Sequence, residues 1–131
     1  MRVGEVQVRF GELVDGSGKM IVVIFQVRLK IGNGQRSYWT DFHGQYSRAN
    51  STLRTFVVPE GENIGTVKMR SGWRIDSLQF VTDKGTVSER FGGTGGHGRT
   101  YELFGKLLGF FGKEGSEIHQ LGFITTPDFK Y

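Results

Sequence analysis

The sequence predicts an all-β protein. Of its 131 residues, 21 are glycine and only 2 are proline, and the glycines separate short runs rich in aromatic and β-branched residues. Such runs between turn residues are typical of β-strands joined by tight turns. No window of about 11 residues or more shows the periodicity of an amphipathic helix. The length suits one domain with a hydrophobic core, and we expect residues 1–131 to form a single domain.

The first strands are predicted from the alternation of apolar and polar residues. Residues 3–10 alternate with period two, and residues 11–18 follow as a loop with a turn. Residues 19–31 form the longest strand candidate, with Phe25, Val27, Leu29 and Ile31 expected on one face. After an aromatic segment at 36–42 and a loop at 43–50, we expect short strands at 53–58, 64–69, 77–82, 86–91, 100–104, 106–111 and 120–125.

Charge and composition argue against several classes of partner. The net charge is +4, but the 17 basic and 13 acidic residues are interleaved without a block of five like charges, so we predict no nucleic-acid partner. There is no cysteine, and the three scattered histidines lack metal-ligand spacing, so no metal site is expected. The longest apolar run, residues 20–25, is too short to span a bilayer, and no signal peptide is visible.

An internal repeat organises the chain. The pattern of residues 67–82, a strand, a Gly-x-x-x-Asp loop and a second strand, recurs at 110–125 and more faintly from residue 6. Three equivalent units that each bury one sheet face must share a core, which predicts pseudo-threefold packing. We expect the repeats to span about 3–61, 62–104 and 105–131.

The central repeat carries the best candidate binding site. Its loop runs from Gly72 to Asp76, and the glycine-rich segment 91–98 follows one strand later. A carboxylate can accept hydrogen bonds from two neighbouring hydroxyls, and glycine backbone can approach a ligand closely. This pairing suits a polyhydroxylated ligand. The alternative is that Asp76 is a turn residue that caps its own loop.

These motifs resemble the jacalin-related lectins of the mannose-binding type. The resemblance implies a β-prism I fold of three antiparallel sheets, with a hexose held between the Gly-x-x-x-Asp loop and the glycine loop. Carried over to this chain, it implies that the carbohydrate-binding residues are Gly72, Trp73, Arg74, Ile75, Asp76, Gly95, Gly96 and His97. In the first repeat the resemblance indicates a second candidate carbohydrate site, formed by Gly11, Leu13, Val14, Asp15 and Gly44.

The other two repeats depart from the family pattern. The first keeps Asp15, but His43-Gly44-Gln45 stands where a glycine loop is expected, so Asp15 is either a ligand or a turn residue. In the third repeat His119 replaces the aspartate, and we expect that site to be lost. Trp73 either stacks on a sugar face or lies at the rim. The aromatic cluster Tyr38, Trp39 and Phe42 is expected to pack on a sheet.

The sequence leaves three classes of function to compare: a lectin, a glycoside hydrolase and an interaction module. The resemblance implies a non-enzymatic lectin for mannose- or glucose-type glycans and glycoproteins, as a homodimer or a domain of a larger protein, and favours an extracellular location. A glycoside hydrolase would need a second carboxylate beside Asp76. The alternative is a β-prism interaction or assembly module that has lost sugar binding. Residues 93–98 also match a dinucleotide pattern, but the following segment is predicted as strand, so no cofactor is expected.

Overall fold

The computed structural model describes residues 2–32, 35–44, 51–103, 105–112 and 120–126. In these ranges the chain forms eleven strands: β1 (Arg2–Val14), β2 (Met20–Gly32), β3 (Ser37–Trp39), β4 (His43–Gly44), β5 (Ser51–Val57), β6 (Ile64–Ser71), β7 (Ile75–Thr82), β8 (Phe91–Gly92), β9 (His97–Glu102), β10 (Lys106–Phe111) and β11 (Gly122–Thr126). No described residue lies in a helix, and the described part of the chain therefore offers none that could cross a membrane.

The strands form three antiparallel sheets around one core, so the predicted all-β prism is confirmed. The first sheet has the order β3-β2-β1-β5, with β4 also paired to β2; the second has the order β8-β7-β6-β9. The third sheet consists, in the described residues, of the β10-β11 hairpin. The core combines buried residues from all three sheets, among them Val27, Phe80, Phe91 and Leu107.

Two β-bulges decide which side chains of the first hairpin reach the core. The β1–β2 register shifts between Val3 and Glu5 and again between Arg9 and Phe10. A bulge changes the parity of a strand, so Val3 is buried on the same side as Val6 and Val8. The prediction that Phe25 shares a face with Val27 is wrong for this reason.

Phe25 belongs instead to a second, smaller cluster. It packs there with Leu13 and Val23, and Ile21 covers their edge. This cluster holds the end of the β1–β2 hairpin, where strand pairing continues to Val14 opposite Met20. The loop predicted at 11–18 is therefore confined to residues 15–19, and the hairpin projects further than the sequence indicates.

Two other predicted elements differ in extent. The strand expected at 86–91 is reduced to β8 and an isolated bridge between Val81 and Val87. The glycine run is not wholly a loop, because β9 begins at His97 and pairs with Ser71 of β6. Pairing of the glycine run with β6 brings it close to the Gly72–Asp76 loop.

The aromatic segment packs on the outside of the first sheet. The Arg28 guanidinium lies 4.4 Å from the ring centre of Trp39 and 4.3 Å from that of Phe42, within the range of a cation–π contact. Arg28 also donates to Oε1 of Gln7 at 2.8 Å, and Tyr38 is exposed. The packing role predicted for Trp39 and Phe42 agrees with these contacts.

Candidate functional site

A tight loop between β6 and β7 sets the position of Asp76. Ser71 pairs with Ile75 across the loop, and the Gly72 amide donates to the Arg74 carbonyl at 3.0 Å. The loop therefore contains only Gly72, Trp73 and Arg74. Asp76 follows as the second residue of β7, which is anchored by the buried Ile75 and Leu78.

The Asp76 carboxylate lies at the base of an open pocket of about 430 Å³. Its residue is only 7% exposed, and among the described residues none donates a hydrogen bond to the carboxylate. Burial raises the pKa of the Asp76 carboxyl above its ordinary value, while the positive charges of Arg70 and Arg74 act in the opposite direction. The site thus holds a carboxylate, which can accept several hydrogen bonds, where it is largely shielded from water.

The glycine loop lies directly against this carboxylate. A Cβ atom built on Gly95 would lie 2.7 Å from Oδ1 of Asp76, and one on Gly96 would lie 2.5 Å from Oδ2. Gly96 also has a φ of 69°, a conformation that favours glycine. Before these residues, the Gly93 amide donates to the Asp76 carbonyl at 2.8 Å. The carboxylate and bare backbone therefore face the same pocket.

Arg70 holds the glycine loop in this position. Its Nε donates to the carbonyls of Thr94 and Gly95 at 3.2 and 3.0 Å, and its Nη2 donates to that of Gly96 at 2.9 Å. The sequence interpretation did not include Arg70 among the site residues. The available signal was the alternation of side chains along the strand. Arg70 follows Met69, which is buried, so the Arg70 side chain lies on the outer face of β6.

The turn between β1 and β2 forms the opposite wall. Asp15, Ser17, Lys19 and Ile21 line the same pocket as Asp76. Oδ1 of Asp15 accepts hydrogen bonds from the Ser17 amide (2.9 Å), the Ser17 hydroxyl (2.6 Å) and the Lys19 amide (3.0 Å). These bonds, that of the Ser17 hydroxyl first, lower the pKa of the Asp15 carboxyl. Asp15 therefore stabilises its own turn.

The remaining residues of the first predicted site take different positions. Trp73 is 92% exposed at the rim, and Arg74 lines the pocket with Gly72. The Ile75 side chain is buried in the core. His97 is exposed and lines a neighbouring groove instead. The structure thus brings together Gly72, Trp73, Arg74, Asp76, Gly95 and Gly96 around one pocket.

The residues of the second predicted site are spread along the first sheet. Gly11 pairs with Val23 in β1, Leu13 is buried, and Val14 is exposed. Gly44 of β4 pairs with Gln26 of β2, and it does not line the pocket that contains Asp15. A separate second site stays a prediction. His119, the third-repeat position, lies outside the described residues.

The site contains no evident metal centre. In the described ranges, no group of three or more His, Asp or Glu side chains could hold a metal ion. The chemistry available in the pocket is that of one buried carboxylate, glycine backbone, two nearby guanidinium groups and an exposed indole. Such a set can accept hydrogen bonds from hydroxyl groups and offers an aromatic face for stacking.

Fold and pocket define a class of protein, a β-prism with an open pocket at the end of its strands. The sequence model of the jacalin-like lectin domain matches residues 10–124. The chain therefore belongs to the jacalin-like lectin domain family. No curated protein sequence gives a significant match to the chain.

Solved lectin structures share the fold at low sequence identity. A prostate-specific WGA16 glycoprotein lectin aligns with a TM-score of 0.73 and 20% identity, over 98% of this chain and 85% of that chain. The mannose-binding lectin from Champedak aligns with a TM-score of 0.73 and 16% identity, over 94% and 81%. The lectin MPA, complexed with T-antigen disaccharide, aligns with a TM-score of 0.72 and 17% identity, over 95% and 91%.

Proposed function

We propose that the chain is a non-enzymatic lectin domain that binds mannose- or glucose-type glycans in the pocket around Asp76. The observation that carries the proposal is the buried Asp76 carboxylate against the backbone of Gly95 and Gly96. Two neighbouring sugar hydroxyls can donate to the two carboxylate oxygens, and charge-assisted bonds of this kind are stronger than neutral ones. The bare backbone leaves room for the sugar ring.

Other pocket residues complete this role. Arg70 fixes the glycine loop through three carbonyl bonds. The exposed Trp73 indole offers a stacking surface at the rim, where the apolar face of a sugar ring can pack. The turn that Asp15 stabilises forms the wall beyond the hexose and would contact the next sugar of an oligosaccharide.

The choice of sugar is tested by a glycan array followed by titration calorimetry. The mannose-binding lectin from Champedak and the T-antigen complex of the lectin MPA share this fold, so the fold alone does not choose the sugar. We expect binding of mannose-rich glycans and inhibition by methyl α-mannoside but not by methyl α-galactoside. A folded protein that binds no glycan on the array would instead support the assembly module.

The alternative hypothesis, that the chain is a glycoside hydrolase, is tested separately, because Asp15 and Asp76 line the same pocket. Oδ1 of Asp15 accepts three bonds within its own turn, which fits a structural carboxylate rather than a catalytic one. We expect no turnover of p-nitrophenyl α-mannoside. Turnover that disappears in an Asp76→Asn variant would overturn the non-enzymatic assignment.

We further propose that the domain acts in several copies, as a homodimer or within a larger protein outside the cell. A single open pocket that holds one sugar gives modest affinity, because its hydrogen bonds to the sugar replace hydrogen bonds to water. Linked copies raise the effective affinity through avidity.

Replacement of Gly96 by alanine should weaken sugar binding about tenfold or more, which corresponds to roughly 1.4 kcal/mol. The added Cβ would lie 2.5 Å from Oδ2 of Asp76 and 2.7 Å from the Ser71 carbonyl, so the carboxylate or the loop must move. Titration calorimetry with a mannose-type oligosaccharide measures the loss.

Gly85→Ala is the matched control for this prediction. Gly85 has a similarly positive φ of 89°, but its Cβ would meet no atom within 4 Å. Both variants should lose about 1 kcal/mol of stability from backbone strain, whereas only Gly96→Ala should lose affinity. Equal affinities of the two variants would contradict the contact between Gly96 and the binding carboxylate.

A further inference from the structure

A second cleft lies on the outer face of the second sheet, and the glycine loop separates it from the sugar pocket. It has a volume of about 210 Å³, and the basic side chains of Lys68, Arg70 and Arg90 border it. Arg99 also lines the cleft, but it pairs with the buried Met69, so its side chain belongs to the opposite face of the sheet. Lys68 and Arg70 come from β6, and Arg90 comes from the segment before β8. In the sequence they are dispersed among acidic residues, but strand alternation and sheet pairing bring them together.

The cleft has basic groups without matching carboxylates. In the part of the chain that the structure describes, no ion pair involves Lys68, Arg90 or Arg99. Glu89, which precedes Arg90, is paired with Arg54 at 3.8 Å. The other lining residues, including Ser77, Gln79 and Thr100, are polar or contribute backbone. The cleft is therefore a local concentration of positive charge with neutral hydrogen-bonding groups between.

Arg70 has donors left for a ligand in this cleft. Its bonds to the glycine loop use Nε and Nη2. Among the described residues no acceptor is bonded to Nη1, which lies 3.3 Å from the position of a Cβ built on Gly98. A guanidinium group with one free edge can bind a sulfate or carboxylate group.

Arg70 also connects the cleft to the proposed sugar pocket. The same guanidinium that borders the cleft holds the Gly95 and Gly96 carbonyls of the loop beside Asp76. A chain of sugars bound near that loop would carry its charged substituents towards the basic cleft. No aromatic ring lines the cleft, whereas proteins that bind single-stranded nucleic acids stack the bases on aromatic side chains.

We propose that this cleft binds the acidic groups, sulfate or carboxylate, of an anionic polysaccharide. Lys68 and Arg90 supply the charge, and the free Nη1 of Arg70 supplies directed donors. The identification of the ligand as a saccharide rests on the proposed function, but the charge of the cleft does not. The experiment therefore measures binding to the cleft and binding to the sugar pocket separately.

Dextran sulfate, carboxymethyl dextran and uncharged dextran are the probes, with affinity measured over a series of salt concentrations. Wild-type protein should bind at least one charged dextran and not uncharged dextran, and the probe that binds identifies the acidic group. A Lys68→Gln/Arg90→Gln variant should bind about tenfold more weakly or worse, with a log–log salt slope shallower by about 2 as two fewer counterions are released. Binding of neither charged dextran by the wild type would overturn the proposal.

An Arg36→Gln/Lys84→Gln variant is the matched control, because it removes the same charge at two exposed positions that do not line the cleft. It should retain the affinity of the wild type. Equal losses in both variants would show a general effect of net charge, and tight binding of polyuridylate would show an indiscriminate polyanion surface; either result overturns the proposal. Mannose-type binding should be unchanged in a single Lys68→Gln variant, which keeps the bond from Arg90 to the Gly93 carbonyl, so a failure of the sugar pocket is seen independently.

Discussion

An Asp76→Asn variant should lose glycan binding by about 100-fold or more while its fold stays intact. Each hydrogen bond from a sugar hydroxyl to the carboxylate is worth about 1.5–3 kcal/mol, so the loss of two charge-assisted bonds gives an effect of this size. The amide keeps the shape of the side chain, which isolates the effect of charge. Titration calorimetry on the glycan that binds best measures the loss, and retained affinity would show that Asp76 is a turn residue only.

The same variant should be more stable than the wild type at neutral pH. Burial raises the pKa of Asp76 in the folded protein, so the folded state binds this proton more tightly than the unfolded state does. The contribution of Asp76 to stability is therefore fully present below its ordinary pKa of 3.8 and is lost as the pH rises through the higher folded value. Asparagine, which does not ionise, avoids that loss.

Asp83→Asn is the control, because the pKa of Asp83 is shifted in the opposite direction. Its carboxylate accepts a hydrogen bond from the Asn63 amide at 3.0 Å, which lowers its pKa. Asp83 therefore stabilises the fold above its ordinary pKa, and this contribution is lost as the pH falls. Thermal melts from pH 3 to 8 should show a gain for Asp76→Asn and a loss for Asp83→Asn at neutral pH. The same sign for both would contradict the assignment of Asp76 as a buried, destabilising charge.

A Phe91→Ala variant should lose about 3–5 kcal/mol of the free energy of unfolding. Phe91 is fully buried, and its ring lies 6.4 Å from that of Phe10 in the first sheet and 6.2 Å from that of Phe80 in the second. Truncation leaves a cavity where two sheets meet. Because Phe91 directly precedes the glycine loop, we also expect weaker sugar binding.

Urea denaturation measures this loss, with Val87→Ala as the control. Val87 is 54% exposed beside the same sheet, and its truncation should change stability by about 0.5 kcal/mol or less. A loss below about 1.5 kcal/mol in Phe91→Ala would indicate that the space between the two sheets collapses around the missing ring.

Much of the fold could be predicted because its signals are local. Alternation and glycine spacing located most strands, and the repeat indicated the Gly72–Asp76 loop and its glycine partner, which the structure places in contact. The side of β2 on which Phe25 lies could not be predicted, because Phe25 is itself the extra residue of a bulge opposite Arg9 and Phe10, and no distinctive residue type marks that bulge. The extent of β1 was underestimated, since pairing with β2 extends it to Val14.

By itself, the sequence determined the all-β class, the jacalin-like family pattern and the loop that carries Asp76. Only the tertiary structure decided what surrounds that carboxylate. Asp15 reaches the same pocket because the first hairpin projects past the predicted loop, and Arg70 holds the glycine loop because sheet pairing brings β9 beside β6. The physical reason is that a loop motif depends on neighbours in the chain, whereas the walls of a pocket and a cluster of charges depend on residues that only strand pairing brings together.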